Sequence, residues 1–421
     1  MLAATTLITC SLAQLPADDP SWFDALSQSM QDLGDALVAG DPDGAWTVGI
    51  DPWIDQTGWF FTQPPPGFIQ ADGHALYAPV INLMGTATAG KVLDFTVYAM
   101  ASRGFDPTEA PMEMILNEYF LNVRPFENQV LNLRAGAFGT TFGQWNRRYL
   151  SFENPLIDAP LPYGWMTSIS DGVSSGARPV PANPGAAGQL DRKDRADNVP
   201  DWNPIIWGPA YASGFSAFGT FPAWQGPLVD WAVEVKNASL SSRPEEWAWW
   251  DRNMESPTVT GRVALRPDAR WTIGGSVSQG GYLIADPTVR PGTSIGDPGQ
   301  YDQTTWGIDI SYAHRWAEIW AEFIWNTFDQ PALGDLTSFS WFVEGRINVA
   351  VDTWVSARWN SQFYGDLDGE SWDNDVQRFD IGGGTRLNES FTFKLQFSHA
   401  NESGSEDQGQ WYGATQLIME F

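Results

Sequence analysis

From Ala45 to the end of the chain, period-two segments are joined by connections of two very unequal lengths, and the two lengths alternate. Tight polar turns fall at Ala89-Gly90-Lys91, Arg124-Pro125-Phe126-Glu127-Asn128, Arg266-Pro267-Asp268, His314-Arg315, 348–352 and Leu387-Asn388-Glu389. Long polar connections rich in Gly and Pro lie between them, at roughly 55–73, 103–111, 139–203, 237–257, 281–302, 328–336, 364–374 and 401–407. A membrane barrel is built this way, with tight turns at one rim and long loops at the other. A β-sandwich has no reason to keep the two kinds in alternation. The segments count to about sixteen, and an even number returns both termini to the tight-turn rim.

The facing of the later segments agrees. In 338–348, Phe339, Trp341, Val343 and Ile347 share one face, against Ser338, Ser340, Glu344, Arg346 and Asn348. In 353–362, Val355, Ala357 and Trp359 oppose Ser356, Arg358, Asn360 and Gln362. In 391–398, Phe391, Phe393, Leu395 and Phe397 oppose Thr392, Lys394, Gln396 and Ser398. Slipping the register by one residue would move the charges into lipid at about 2–4 kcal/mol each near the midplane, so the register is firmly set. The polar face holds charge of both signs, which describes a water-filled lumen better than a packed core.

Composition removes the main competitors. No apolar run approaches the ~20 residues that a membrane helix needs. Aromatic residues make up 14% of the chain and 23 are Trp; indole suits interfaces where one end is apolar and the other wet. A Trp-rich secreted or surface protein that binds carbohydrate is the alternative reading of that excess. The net charge of −28 argues against a nucleic-acid partner, which needs basic patches. Cys10 is the only cysteine, so neither a disulfide framework nor a Cys-rich metal site is possible.

The last strand, Gln410 to Phe421, puts Trp411, Gly413, Thr415, Leu417, Met419 and Phe421 on one face and Tyr412, Gln416 and Glu420 on the other. It resembles the closing strand of Gram-negative outer-membrane β-barrels, in which a terminal aromatic residue marks the chain for the insertion machinery. With about sixteen strands and a long loop after an early strand pair, the pattern over 45–421 is similar to that of the general and substrate-specific porins. The resemblance implies an all-β fold, a transmembrane antiparallel β-barrel of about sixteen strands, and the residues ahead of it add a short amphipathic helix. It further implies a non-enzymatic channel in the bacterial outer membrane for passive diffusion of small hydrophilic solutes or ions. Lipid and the insertion machinery would be its partners, with Phe421 as the insertion signal, and homotrimers its assembly.

Ahead of the barrel, 1–13 reads as a signal peptide ending in Ser11-Leu12-Ala13, although its positive start is missing. The segment 14–44 reads as a periplasmic extension. Within it Trp22, Leu26, Met30, Leu33 and Leu37 recur at helical spacing, with Asp24, Asp32 and Asp35 opposite. Such a helix has four options: to plug the lumen, pack under the rim, pair with copies of itself, or simply cover apolar surface.

The longest connection, 139–203, carries its own aromatic, Pro and charged residues, the composition of a functional loop able to enter the lumen. The porin resemblance supplies no strict site motif, so pore-lining candidates rest on position. Arg147 and Arg148 of the loop, with inward Arg346, Arg358, Arg378, Arg386 and Lys394, form a possible basic track. Asp309, Glu318, Glu322, Glu344 and Asp380 are expected to face it. The alternative is that these charges pair with one another and solvate the wall. No cofactor is expected. Asp366, Asp368 and Glu370 in one acidic loop are candidates for Ca²⁺, with the Gly misplaced for an EF-hand. His74, His314 and His399 are scattered, and Ser398-His399 puts its two side chains on opposite faces. A barrel lipase is therefore a remote alternative.

Overall fold

Alternation of apolar and polar residues is sustained long enough to define each wall strand. The computed structural model describes residues 22–41, 44–62, 73–102, 112–169, 203–223, 226–252, 254–283, 298–330, 334–367, 370–403 and 409–421. Helix α1 (Trp22–Ala36) precedes the wall. The first eight strands are β1 (Trp46–Phe61), β2 (Ala75–Ala89), β3 (Leu93–Ser102), β4 (Glu113–Val123), β5 (Asn132–Ala137), β6 (Ser213–Pro222), β7 (Leu228–Lys236) and β8 (Thr258–Arg266). The second eight are β9 (Trp271–Gly281), β10 (Asp302–His314), β11 (Ala317–Gln330), β12 (Gly334–Ala350), β13 (Thr353–Tyr364), β14 (Val376–Arg386), β15 (Phe391–Glu402) and β16 (Gln410–Glu420). Each pairs antiparallel with its neighbour in sequence, and β16 returns to β1 in a register that sets Gln416 opposite Thr57. The sheet is thereby closed, and no wall edge is left unpaired.

Exposed apolar side chains form the outer surface, among them Leu83, Phe95, Leu121, Val263, Ile308, Val343, Ile381 and Leu395. Exposed Trp46, Trp271 and Trp316 lie toward the tight-turn rim, and Trp249, Trp250 and Trp411 toward the long-loop rim. An apolar band between aromatic girdles is what a bilayer selects. The expected faces of β12, β13 and β16 hold. In β15, Phe391 shares the outward parity yet is buried at the tight-turn rim, whereas Phe393, Leu395 and Phe397 are exposed.

Four connections differ from the sequence expectation, and the longest, expected at 139–203, separates strands that end at Ala137 and resume at Ser213. Strand β1 runs on to Phe61, because polar Asp55 and Thr57 point inward and leave Gln56 and Gly58 outside. The connection expected at 328–336 shrinks to 331–333, since β11 and β12 stay paired as far as Gln330 opposite Gly334. A tight turn unmarked in the sequence reading joins β6 to β7 between Pro222 and Leu228.

Helix α1 packs under the tight-turn rim. Its Ser27 and Met30 are buried while Asp24, Asp32 and Asp35 are exposed. Gln31 donates to Glu389 at 2.7 Å, and Ser390 Oγ donates to the Ser27 carbonyl at 3.4 Å. A Cβ on Gly34 would lie 2.5 Å from the Phe421 carbonyl carbon, so glycine allows the helix to touch the chain terminus. The signal-peptide segment 1–13 lies outside the described residues.

Candidate functional site

The connection between β5 and β6 folds into the barrel, and the inner wall holds it there by its backbone. At its start, Glu118 of β4 accepts from the Gly139 amide at 2.8 Å. Glu234 of β7 accepts from Thr140 Oγ1 at 2.6 Å and from the Thr141 amide at 3.1 Å. Lys236 donates to the carbonyls of Phe138 and Ala210, the latter at 3.0 Å. Further along, Glu322 of β11 takes the amides of Gln144 and Trp145 at 2.8 Å each on one oxygen and the Tyr163 hydroxyl at 2.5 Å on the other. Burial, then the Glu322 charge, pushes the Tyr163 phenol well above its ordinary range, so it stays a donor.

A second group of contacts holds 148–161. Arg148 pairs with Glu344 and lies 3.9 Å over the Trp320 ring. Arg358 bridges Glu344 at 3.0 Å and Asp380 at 2.9 Å, and also donates to the Asp158 carbonyl at 2.9 Å. Arg378 joins Asp380 at 3.0 Å to Asp158 at 2.9 Å. The Lys394 ammonium donates to the carbonyls of Ser151, Asn154 and Leu156. Gln396 accepts from the Ile157 and Asp158 amides at 2.6 and 3.0 Å.

The expected candidates thus divide. Arg148, Glu322, Glu344, Arg358, Arg378, Asp380 and Lys394 are brought together, buried, as a seam between loop and wall. Asp309 is paired with Arg262 at 2.6 Å. Glu318, Arg346 and Arg386 sit apart at the tight-turn rim, with Arg346 4.6 Å from the Trp354 ring centroid. The loop therefore occupies part of the lumen, and its contacts neutralise many of the inward charges. Asp366 lies in a two-residue hairpin with Ser371. Asp368 falls outside the described residues, and no group of three metal-ligating side chains occurs among the described residues.

Among the described residues, two chambers lie between the loop and the wall. The larger, about 500 Å³, lies against loop residues 139–147 and β4 to β8. Arg134, Arg147, Arg262 and Arg266 line it with Glu118 and Asp230. Arg266 pairs with Asp230 at 2.8 Å, and Arg134 stacks on Phe120 at 4.4 Å. Arg147 is exposed into this space and makes no ion pair among the described residues. The guanidinium remains charged there, since arginine does not lose its proton in proteins. The smaller chamber, about 280 Å³, lies against loop residues 149–157 and β1 to β3.

Sequence reading missed Glu118, Arg134, Glu234, Lys236 and Arg262. A signal existed for Arg262, since Thr258, Thr260 and Arg262 alternate with outward Val259, Val263 and Leu265.

No protein-family model and no curated protein sequence matches the chain. Solved structures do. OmpT, an outer membrane protein of Vibrio cholerae, aligns with a TM-score of 0.53 at 10% identity, over 91% of this chain and 99% of that one. An anion-selective porin from Comamonas acidovorans gives 0.52 at 12% identity, over 89% and 100%. The outer membrane channel DcaP of Acinetobacter baumannii gives 0.50 at 8% identity, over 91% and 99%. At such identities the likeness is one of fold, and the fold is the closed sixteen-stranded barrel of outer-membrane proteins.

Proposed function

We propose that the chain is a channel in the bacterial outer membrane, through which small hydrophilic solutes or ions diffuse passively past the lumenal loop. One observation carries the reading: inward charged side chains of β4, β7, β11, β13, β14 and β15 hold the backbone of 138–161 across a barrel whose outside is apolar. A soluble carbohydrate-binding protein would have no use for that outer band. The two neighbours named as a porin and a channel support the same reading by analogy.

In this reading the Arg-lined chamber favours anionic groups locally, in spite of the −28 net charge. Acidic loops at the mouth act over roughly a Debye length, ~8 Å at physiological salt. Arg147 acts at contact range, where the lumen confines its field. Phe421 serves as the insertion signal and the protein assembles as a homotrimer. Membrane fractionation with liposome swelling tests the proposal. Recovery with the outer membrane, and swelling rates that fall with solute size, are expected; a soluble periplasmic protein that leaves liposomes impermeable would refute it.

A further inference from the structure

The smaller chamber gathers polar atoms that the fold leaves unsatisfied. Trp53, Asp55 and Trp59 enter it from β1, Tyr98 from β3, Gln416 from β16, and Ser151 from the loop. Asp55 is anchored through Oδ2 by the Asn82 amide at 3.0 Å, and Asn82 accepts from the Tyr98 hydroxyl at 2.8 Å. Its other oxygen faces the Trp53 indole and the Ser151 hydroxyl without a hydrogen bond of good geometry to either. Trp53 Nε1, Asp55 Oδ1, Ser151 Oγ and Gln416 Oε1 are all buried without a hydrogen bond of good geometry, although the Trp53 and Ser151 side chains lie beside the Asp55 carboxyl. Trp53, Asp55 and Gln416 are 4%, 7% and 7% exposed. Lys394, the cation acting on Asp55, directs its ammonium to loop carbonyls.

Buried polar groups are normally paired, so several left unpaired around one chamber point to something that enters it. Their chemistry narrows the class. The Trp53 indole can only donate, the Asp55 carboxylate and Gln416 carbonyl can only accept, and the Ser151 hydroxyl does both. An ammonium group has nothing to accept from Trp53, and a carboxylate has nothing to donate to Asp55. A hydroxyl answers both kinds. The walls are aromatic, lined by Trp53, Trp59, Tyr98 and Tyr149, with Tyr98 stacked on Trp53 at 5.6 Å and 9°. Such walls suit the apolar C–H faces of a ring that carries hydroxyls at its edge.

We propose that this chamber binds a neutral polyhydroxylated solute, a sugar-like ring of monosaccharide size. The ligand's arrival by diffusion rests on the channel reading, but its binding does not.

The test uses the full-length protein in detergent and in planar bilayers, with glucose, tetramethylammonium chloride and sodium acetate as probes. Glucose is expected to change tryptophan fluorescence saturably, and the two ionic probes are expected to give no saturable change. Asp55→Asn and Ser151→Ala should each weaken glucose binding about tenfold, as loss of one buried hydrogen bond implies. Heat-modifiable migration establishes that each variant is folded, and Ser151→Ala keeps the test alive if Asp55→Asn does not fold. No saturable glucose response, equal affinity in a folded variant, or saturation by an ionic probe instead would overturn the proposal. Conductance without glucose binding overturns this site alone. Glucose binding without any conductance overturns the channel reading alone.

Discussion

Gly143 has φ +64°, and a Cβ there would lie 2.7 Å from the Tyr163 hydroxyl and 2.8 Å from Glu322 Oε2. Gly143→Ala therefore meets backbone strain of about 1–3 kcal/mol together with a collision at the loop's main anchor. It is expected to lower the temperature at which the heat-modifiable band converts; an unchanged conversion temperature would show that the loop is not held as described. Arg358 and Arg147 make a sharper pair. Arg358→Met leaves Glu344 and Asp380 without their shared partner, a loss of about 3–5 kcal/mol for a broken buried pair. Arg147→Ser removes an exposed charge, so stability should change by no more than about 0.5 kcal/mol. Its effect should appear in the reversal potential across a salt gradient, moved toward cation preference, and an unmoved potential would deny Arg147 a part in permeation. Sequence alone could not separate these two arginines. Period two tells which face Arg358 occupies, but its partner Asp158 is 200 positions away in a loop without periodicity.

At the scale of elements, the lumenal loop and α1 behave as opposites. The loop is tied by many side chains of the wall, whereas α1 touches the rim through few. Gly34→Val should push α1 off Phe421 and lower thermal stability, with unitary conductance unchanged, because the contacts of α1 run to the rim at Glu389, Ser390 and Phe421. A changed conductance would mean that the helix reaches into the pore. The strands and most turns were legible because lipid outside and polar groups inside impose a strict alternation. The exceptions have local causes. Asp55 and Thr57 look like the start of a loop until their inward facing is known. Pro331 and Gly334 look like loop residues, yet the strands flanking them pair past the expected boundary. The route of the loop inside the barrel was suggested by its length and composition, but its contacts were hidden, since they join residues distant in sequence.

At the scale of the whole molecule, an apolar exterior surrounds a charged interior that is neutralised largely by pairing across the loop–wall seam. The acidic excess of the chain, 51 Asp and Glu against 23 Lys and Arg, is therefore a poor guide to the lumen. The chamber that retains an exposed cation is lined by four arginines. Single-channel recording of the purified protein, set beside a variant lacking 142–158, tests the combined claim of an open barrel narrowed by its own loop. Discrete conductance steps are expected from the intact protein, with larger steps from the shortened one. Silence from a correctly folded intact protein, or steps of equal size in both, would contradict it.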